Sequence, residues 1–115
     1  MTGDWRPVSS VKDLARQRRT TVSGPAGDVV VFWHDGCPYA LANICIHQER
    51  ELVKGTLFQD RVVCPGHQWA FQLGTGYCKE RDRYQPAYRT RVVDGTVEVD
   101  LSAPVPAGEA SEAAG

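Results

Sequence analysis

Two short stretches, Cys45-Ile46-His47 and Cys64-Pro65-Gly66-His67, hold the residues best suited to chemistry in this chain of 115. Each pairs a thiol with an imidazole, and residues 48 to 63 separate the two. Two thiolates and two imidazoles together make an S₂N₂ ligand set for a transition metal. A lone cysteine or histidine is more often structural. Here, however, two of the chain's three histidines and two of its four cysteines fall in these stretches. The spacing therefore predicts a metal site built from Cys45, His47, Cys64 and His67. Two chemistries compete for it. Tetrahedral S₂N₂ suits zinc, which would give a stabilised interaction module without redox activity. Zinc motifs, though, usually group cysteine with cysteine and histidine with histidine, and here the order alternates. A two-iron, two-sulfur cluster uses that alternation directly. One iron takes both thiolates and the other both imidazoles, so each loop supplies one ligand to each iron.

Loops that grip a cluster need strands at their feet, and the rest of the chain supplies short strands broken by turn residues, an all-β pattern. Trp5 to Val8 reads as a strand. Ser10, three residues before Asp13, starts a short helical turn. Thr20-Thr21-Val22 is β-prone and Ser23 to Gly27 is a turn. Val29 to Trp33 and Tyr39 to Ala42 form a hairpin turning at Asp35-Gly36. Arg61 to Val63 follows a turn at Gln59-Asp60. Trp69 to Leu73 alternates in polarity and breaks at Gly74-Thr75-Gly76. Arg89 to Val93 and Thr96 to Leu101 are joined by Asp94-Gly95, the strongest hairpin signal in the sequence. From Ser102 the composition turns to Ala, Pro and Glu, which predicts a disordered tail over 102–115 after one domain over 1–101.

Bulk composition narrows the function classes. With 13 Lys and Arg against 14 Asp and Glu, the chain lacks the basic excess of a nucleic-acid binder. Arg16, Arg18 and Arg19 read as a solvated surface turn, since no aromatic residues interleave them. No stretch has the length of apolar sequence that a membrane span requires, and the N-terminus lacks a secretory apolar core. These features predict a soluble cytoplasmic protein, where four cysteines are better read as ligands or free thiols than as disulfides.

The two ligand stretches and their surroundings resemble the Rieske-type ferredoxins over roughly residues 5 to 101. That family's pattern is Cys-x-His, fifteen to seventeen residues, then Cys-x-x-His, and this chain matches it with sixteen between. The run Trp69-Ala70-Phe71-Gln72-Leu73-Gly74-Thr75-Gly76 is similar to the segment leaving the family's second loop. Tyr39 to Leu41 is similar to the strand entering the first, and Pro86 to Tyr88 with Arg91 to Val99 is similar to the closing hairpin.

The resemblance implies an antiparallel β-sandwich with a small cluster-binding subdomain, about 43–71, formed by two loops. It implies one [2Fe-2S] cluster on Cys45, His47, Cys64 and His67, and a carrier rather than an enzyme. Such a protein takes single electrons from an NAD(P)H-dependent reductase to a terminal oxygenase. The run Gln68-Trp69-Ala70-Phe71 is also similar to the small subunit of an NAD(P)H nitrite reductase, whose partner is the large subunit. The resemblance further implies a shielding third loop at Arg83-Tyr84-Gln85-Pro86, with a single proline. Two family glycines are replaced, by Glu49 and Gln68. The respiratory branch carries an additional cysteine in each loop and hydroxyls after the second histidine. Here 47–52 and 64–67 hold no additional cysteine, and Trp69 and Phe71 stand where the hydroxyls would be. Fewer donors to a reduced cluster place the potential toward the low end of roughly −150 to +300 mV. The histidines' outer nitrogens are expected at a docking surface, and Leu52 and Trp69 are expected to keep water off the cluster. Cys37 and Cys78 read as free thiols and His34 as a surface residue. Trp5, Phe32 and Trp33 read as packing.

Overall fold

The computed structural model describes residues 3–46, 50–65 and 69–105. Its strands pair antiparallel throughout and are arranged as layers on a central sheet. In chain order the first elements are β1 (Trp5–Ser10), the helix α1 (Val11–Gln17), β2 (Arg19–Gly24), β3 (Gly27–His34) and β4 (Cys37–Ala42). A 3-10 turn at Leu52–Lys54 precedes β5 (Thr56–Phe58), β6 (Arg61–Val63) and β7 (Ala70–Gln72). Then come β8 (Tyr77–Cys78), β9 (Arg83–Tyr84), β10 (Ala87–Tyr88), β11 (Thr90–Val93) and β12 (Thr96–Asp100).

The central sheet runs β10-β4-β3-β2. Its strand β3 explains the layering. Val29, Val30, Val31 and Phe32 are all buried, so both faces of the strand are covered, and an unbroken apolar run is what such a strand needs. Val29 and Val31 face one core, with Leu14 of α1 and Val97 and Val99 of β12. Val30 and Phe32 face the other, with Leu52, Val62, Phe71 and the two cysteines Cys45 and Cys64. The first core is closed by the sheet β1-β12-β11 and by α1; the second is closed by the sheet β5-β6-β7.

Both Asp-Gly turns form as expected. His34 pairs with Cys37 and Val93 with Thr96, leaving two-residue loops. Asp94 and Gly95 have φ of 50° and 76°, the left-handed pair that matches the twist of hairpin strands. Ser10 caps α1 by accepting from the N–H of Asp13 at 3.0 Å, and the helix runs seven residues, longer than the single turn expected.

Two expectations change. The arginine cluster is not one solvated turn. Arg16 does make an exposed ion pair with Asp13, and Arg18 ends α1 with φ 75°. Arg19, by contrast, donates to the carbonyls of Val53 and Gly55, each at 2.7 Å, and stacks over Phe32 at 5.3 Å. It ties the 3-10 turn to the central sheet, a role that only a contact across 34 residues reveals. Packing also continues past Ser102. Val105 is buried, and its N–H donates to the Ala87 carbonyl at 2.6 Å. The remainder of the expected tail lies outside the described residues.

Candidate metal centre

The cysteines stand at the necks of two loops closed in the same way. Cys45 N–H donates to the Arg50 carbonyl at 2.9 Å, and Cys64 N–H donates to the Trp69 carbonyl at 2.8 Å. In each case a cysteine bonds five residues on, which pinches the base and fixes where the thiol points. The first neck is extended by the bridge between Ile44 and Glu51, the second by the pairing of β6 with β7, Val63 opposite Ala70.

Both thiols are buried, Cys45 at 3% and Cys64 at 1% exposure, and they lie within hydrogen-bond reach of each other. Burial first, and Cys45 beside it second, push the Cys64 thiol up to about 12 against the opposing charge of Arg50. Two thiols packed so tightly do not ionise unaided. A cation between them would make both thiolates, the form that binds metal. The donor set therefore fits the thiolate-bound half of a two-iron group. Among the described residues no three His, Cys, Asp or Glu side chains are grouped to hold a metal ion. Cys37, Cys78 and His34 thus add no third ligand to the pair. His47 and His67, with Glu49 and Gln68, lie outside the described residues.

The surroundings of the pair are apolar on one side. Leu52, Val62, Phe71 and Trp69 pack in the same core as Cys45 and Cys64, Trp69 at 6.2 Å from the Phe71 ring and beneath Arg81 at 5.2 Å. Leu52 is fully buried here and Trp69 nearly so. Cys78 is also in this core, while Cys37 is partly exposed in β4; all four cysteines are free. Trp5 stacks under Arg91 at 4.1 Å, and Trp33 packs on the far core.

On the polar side two residues carry the first loop. Asn43 accepts from the Val53 N–H at 2.9 Å and donates to Glu51 at 3.2 Å, while its carbonyl takes the Leu52 N–H. Gln85, 1% exposed, accepts from the Ile46 N–H at 2.9 Å and donates to the carbonyls of Ala42 and Ile44, both at 2.7 Å. The stretch Arg83 to Pro86 therefore meets the first loop. Its grip comes from the glutamine side chain and from the Pro86 carbonyl, which accepts from Ala42 N–H at 2.8 Å, rather than from proline content. The sequence placed Gln85 in the third loop but pointed to no role for its side chain or for that of Asn43. The available signal was polarity in positions next to buried strands, where a side chain needs partners.

Gly76 makes room for this loop. Its φ is 78°, and a Cβ there would run into the Gln85 carbonyl oxygen. Its own carbonyl accepts from the Gln85 N–H at 2.7 Å. Ile44 and Ile46, on either side of Cys45, are exposed, and so is Tyr84 beside Gln85.

Comparison with known proteins agrees with this geometry. A sequence model described as "Rieske [2Fe-2S] domain" matches residues 4–98. The anthranilate 1,2-dioxygenase ferredoxin subunit of Burkholderia cepacia is 26% identical over 100 residues, covering 85% of this chain and 93% of that protein. Among solved structures, a chain in the complex of reduced oxygenase and oxidized ferredoxin of carbazole 1,9a-dioxygenase superposes with TM-score 0.80 at 23% identity. That match covers 90% of this chain and 99% of that one. The putative NADH-dependent nitrite reductase small subunit from Mycobacterium tuberculosis gives the same TM-score, identity and coverage. These two likenesses speak to the fold. With two buried cysteines at matched loop necks and a family match across nearly all of the described chain, this protein belongs to the Rieske [2Fe-2S] domain family.

Proposed function

We propose that this chain is a one-electron carrier, not itself an enzyme, which takes electrons from an NAD(P)H-dependent reductase and delivers them to a terminal oxygenase. The observation that carries the reading is the buried Cys45–Cys64 pair, set at the necks of two loops with the same closure in a Rieske-family chain. Cys45 and Cys64 would hold one iron, His47 and His67 the other, within a subdomain of about 43–71. When bound, the group supplies a one-electron redox centre whose two imidazole ligands raise its potential above that of all-cysteine clusters.

The chain's own residues do the rest. Leu52, Trp69 and Phe71 keep water from the thiolate side. Trp69 and Phe71 bring no hydroxyl to the sulfurs, which supports a potential toward the low end of the Rieske range. Ile44, Ile46 and Tyr84 give an exposed apolar rim at the cluster end, and such a rim supports contact with a partner protein, with His47 or His67 in the docking surface. The likeness to the ferredoxin subunit of an oxygenase, over nearly its full length, favours an oxygenase as the acceptor. Four cysteines free of disulfides support a cytoplasmic setting. Among the described residues no helix is long and apolar enough to cross a membrane.

The run Gln68-Trp69-Ala70-Phe71 supports a second reading, the small subunit of a nitrite reductase. Co-purification with a large sirohaem subunit would select it over the mobile carrier.

Iron, acid-labile sulfide and the visible spectrum of the isolated protein test the chemistry. Two irons and two sulfides per chain are expected, with bleaching on one-electron reduction. His47→Ser and His67→Ser should each change that spectrum. Colourless protein holding zinc without sulfide would overturn the reading.

A further inference from the structure

We propose that Gln85 is the positioning residue of the first ligand loop, and that by holding the Ile46 N–H it withholds that donor from cluster sulfur and keeps the reduction potential low. The inference rests on the reading of Cys45 and Cys64 as cluster ligands.

Ile46 lies between Cys45 and His47, inside the ligand stretch. Backbone N–H groups in such a stretch are natural donors to sulfur, and donation to sulfur stabilises the reduced, more negative state. An N–H has one proton. At 2.9 Å from Gln85 Oε1, that of Ile46 is committed to a side chain 39 residues away.

The orientation of the carboxamide is fixed by its other half. Nε2 donates both protons, to the carbonyls of Ala42 and Ile44 at 2.7 Å each, and turning the amide over would aim its oxygen at two carbonyl oxygens. The backbone beneath it is fixed too. Gln85 N–H donates to Gly76, whose N–H donates to the Gln72 carbonyl at 2.7 Å in the strand leaving the second loop. Gln85 thus spans the two ligand loops, and every polar atom of its buried side chain is used on the first.

Gln85→Met tests this, because it keeps length and apolar volume while removing all three side-chain hydrogen bonds. In cluster-loaded protein the variant should show shifted EPR g-values and a more positive midpoint potential. The freed N–H and admitted water would both stabilise the reduced state. Loss of the cluster to a chelator should be at least about 10-fold faster, the usual scale for removing a partner behind a metal ligand. Identical g-values, potential and loss rate, or a more negative potential, would overturn the proposal. Should the variant fail to fold, amide hydrogen exchange on the unmodified protein decides. Ile46 is expected to be strongly protected despite its exposed side chain, and exchange at the rate of a free loop amide would overturn it. Unmodified protein with no iron or sulfide would sink the cluster reading together with this proposal. Unchanged Gln85→Met spectra in loaded protein would sink only the role of Gln85.

Discussion

The two loops proposed to hold the cluster share a closure but not a support. Each is pinched by a hydrogen bond from the cysteine N–H to a carbonyl five residues on. The second loop then continues into an ordinary hairpin, with Arg61, Val62 and Val63 of β6 facing Gln72, Phe71 and Ala70 of β7. Buried Val62 and Phe71 anchor that hairpin in the core. Among the described residues the first loop has the single bridge of Ile44 with Glu51, and the side chains of Asn43 and Gln85 add the hydrogen bonds that strand pairing supplies to the second. A shared chemical task is therefore met once by apolar burial and once by polar side chains. Apolar burial is tolerant of direction, whereas hydrogen bonds fail when one partner is lost. The two loops should accordingly respond differently to damage.

The largest effect should come from the apolar support. Phe71→Ala empties a fully buried site and should cost about 3–5 kcal/mol. Thermal unfolding and loss of cluster colour should then occur together, because the second loop is part of the core. Retention of the wild-type melting temperature would break the comparison at its stronger side. Gly76→Ala comes next, at about 2–4 kcal/mol, from a positive φ and a clash with the Gln85 carbonyl. Its signature is damage at the third loop, read as lost exchange protection at Ile46 before global melting.

Asn43→Ala should cost about 1–3 kcal/mol, since it leaves the Val53 N–H without its partner. Here the two readouts should separate, with faster cluster loss in a protein that still melts cooperatively. Equal behaviour of Asn43→Ala and Phe71→Ala would mean that the loops are supported alike after all.

The smallest effect belongs to a control on β12, the strand that closes the other core. Asp100 accepts from Asp4 N–H at 2.8 Å and from the N–H and hydroxyl of Ser102 at 3.0 and 2.7 Å. Burial alone would raise its carboxyl, but these bonds and nearby Arg89 outweigh that and hold it below the usual range. A carboxyl more acidic when folded stabilises fully above the unfolded value of about 3.9, and that contribution is lost as pH falls through the folded value. Asp100→Asn should therefore cost about 1 kcal/mol at neutral pH and flatten the acid limb of the stability curve. The cluster spectrum should stay unchanged. A spectral change would show that the two cores are coupled more tightly than their separate packing implies.

Much of this was legible in the residues. The Asp-Gly turns, the Ser10 cap and the apolar run of β3 follow from local preferences, because turn and strand chemistry is set within a few residues. Arg19 and Val105 show where local reading stops. Neither composition nor spacing marks one arginine among three as a tie, or one valine in a polar tail as packed, since their partners lie 34 and 18 residues away in sequence.

The sequence by itself determined which side chains could bind metal, two thiols and two imidazoles in closely spaced pairs, because ligand chemistry belongs to residue type and spacing. Only the tertiary structure decided that Cys45 and Cys64 meet in one dry core, and that Gln85 holds the first loop by the Ile46 N–H. Those are contacts between strands distant along the chain, fixed by how the layers stack on β3 rather than by any local preference.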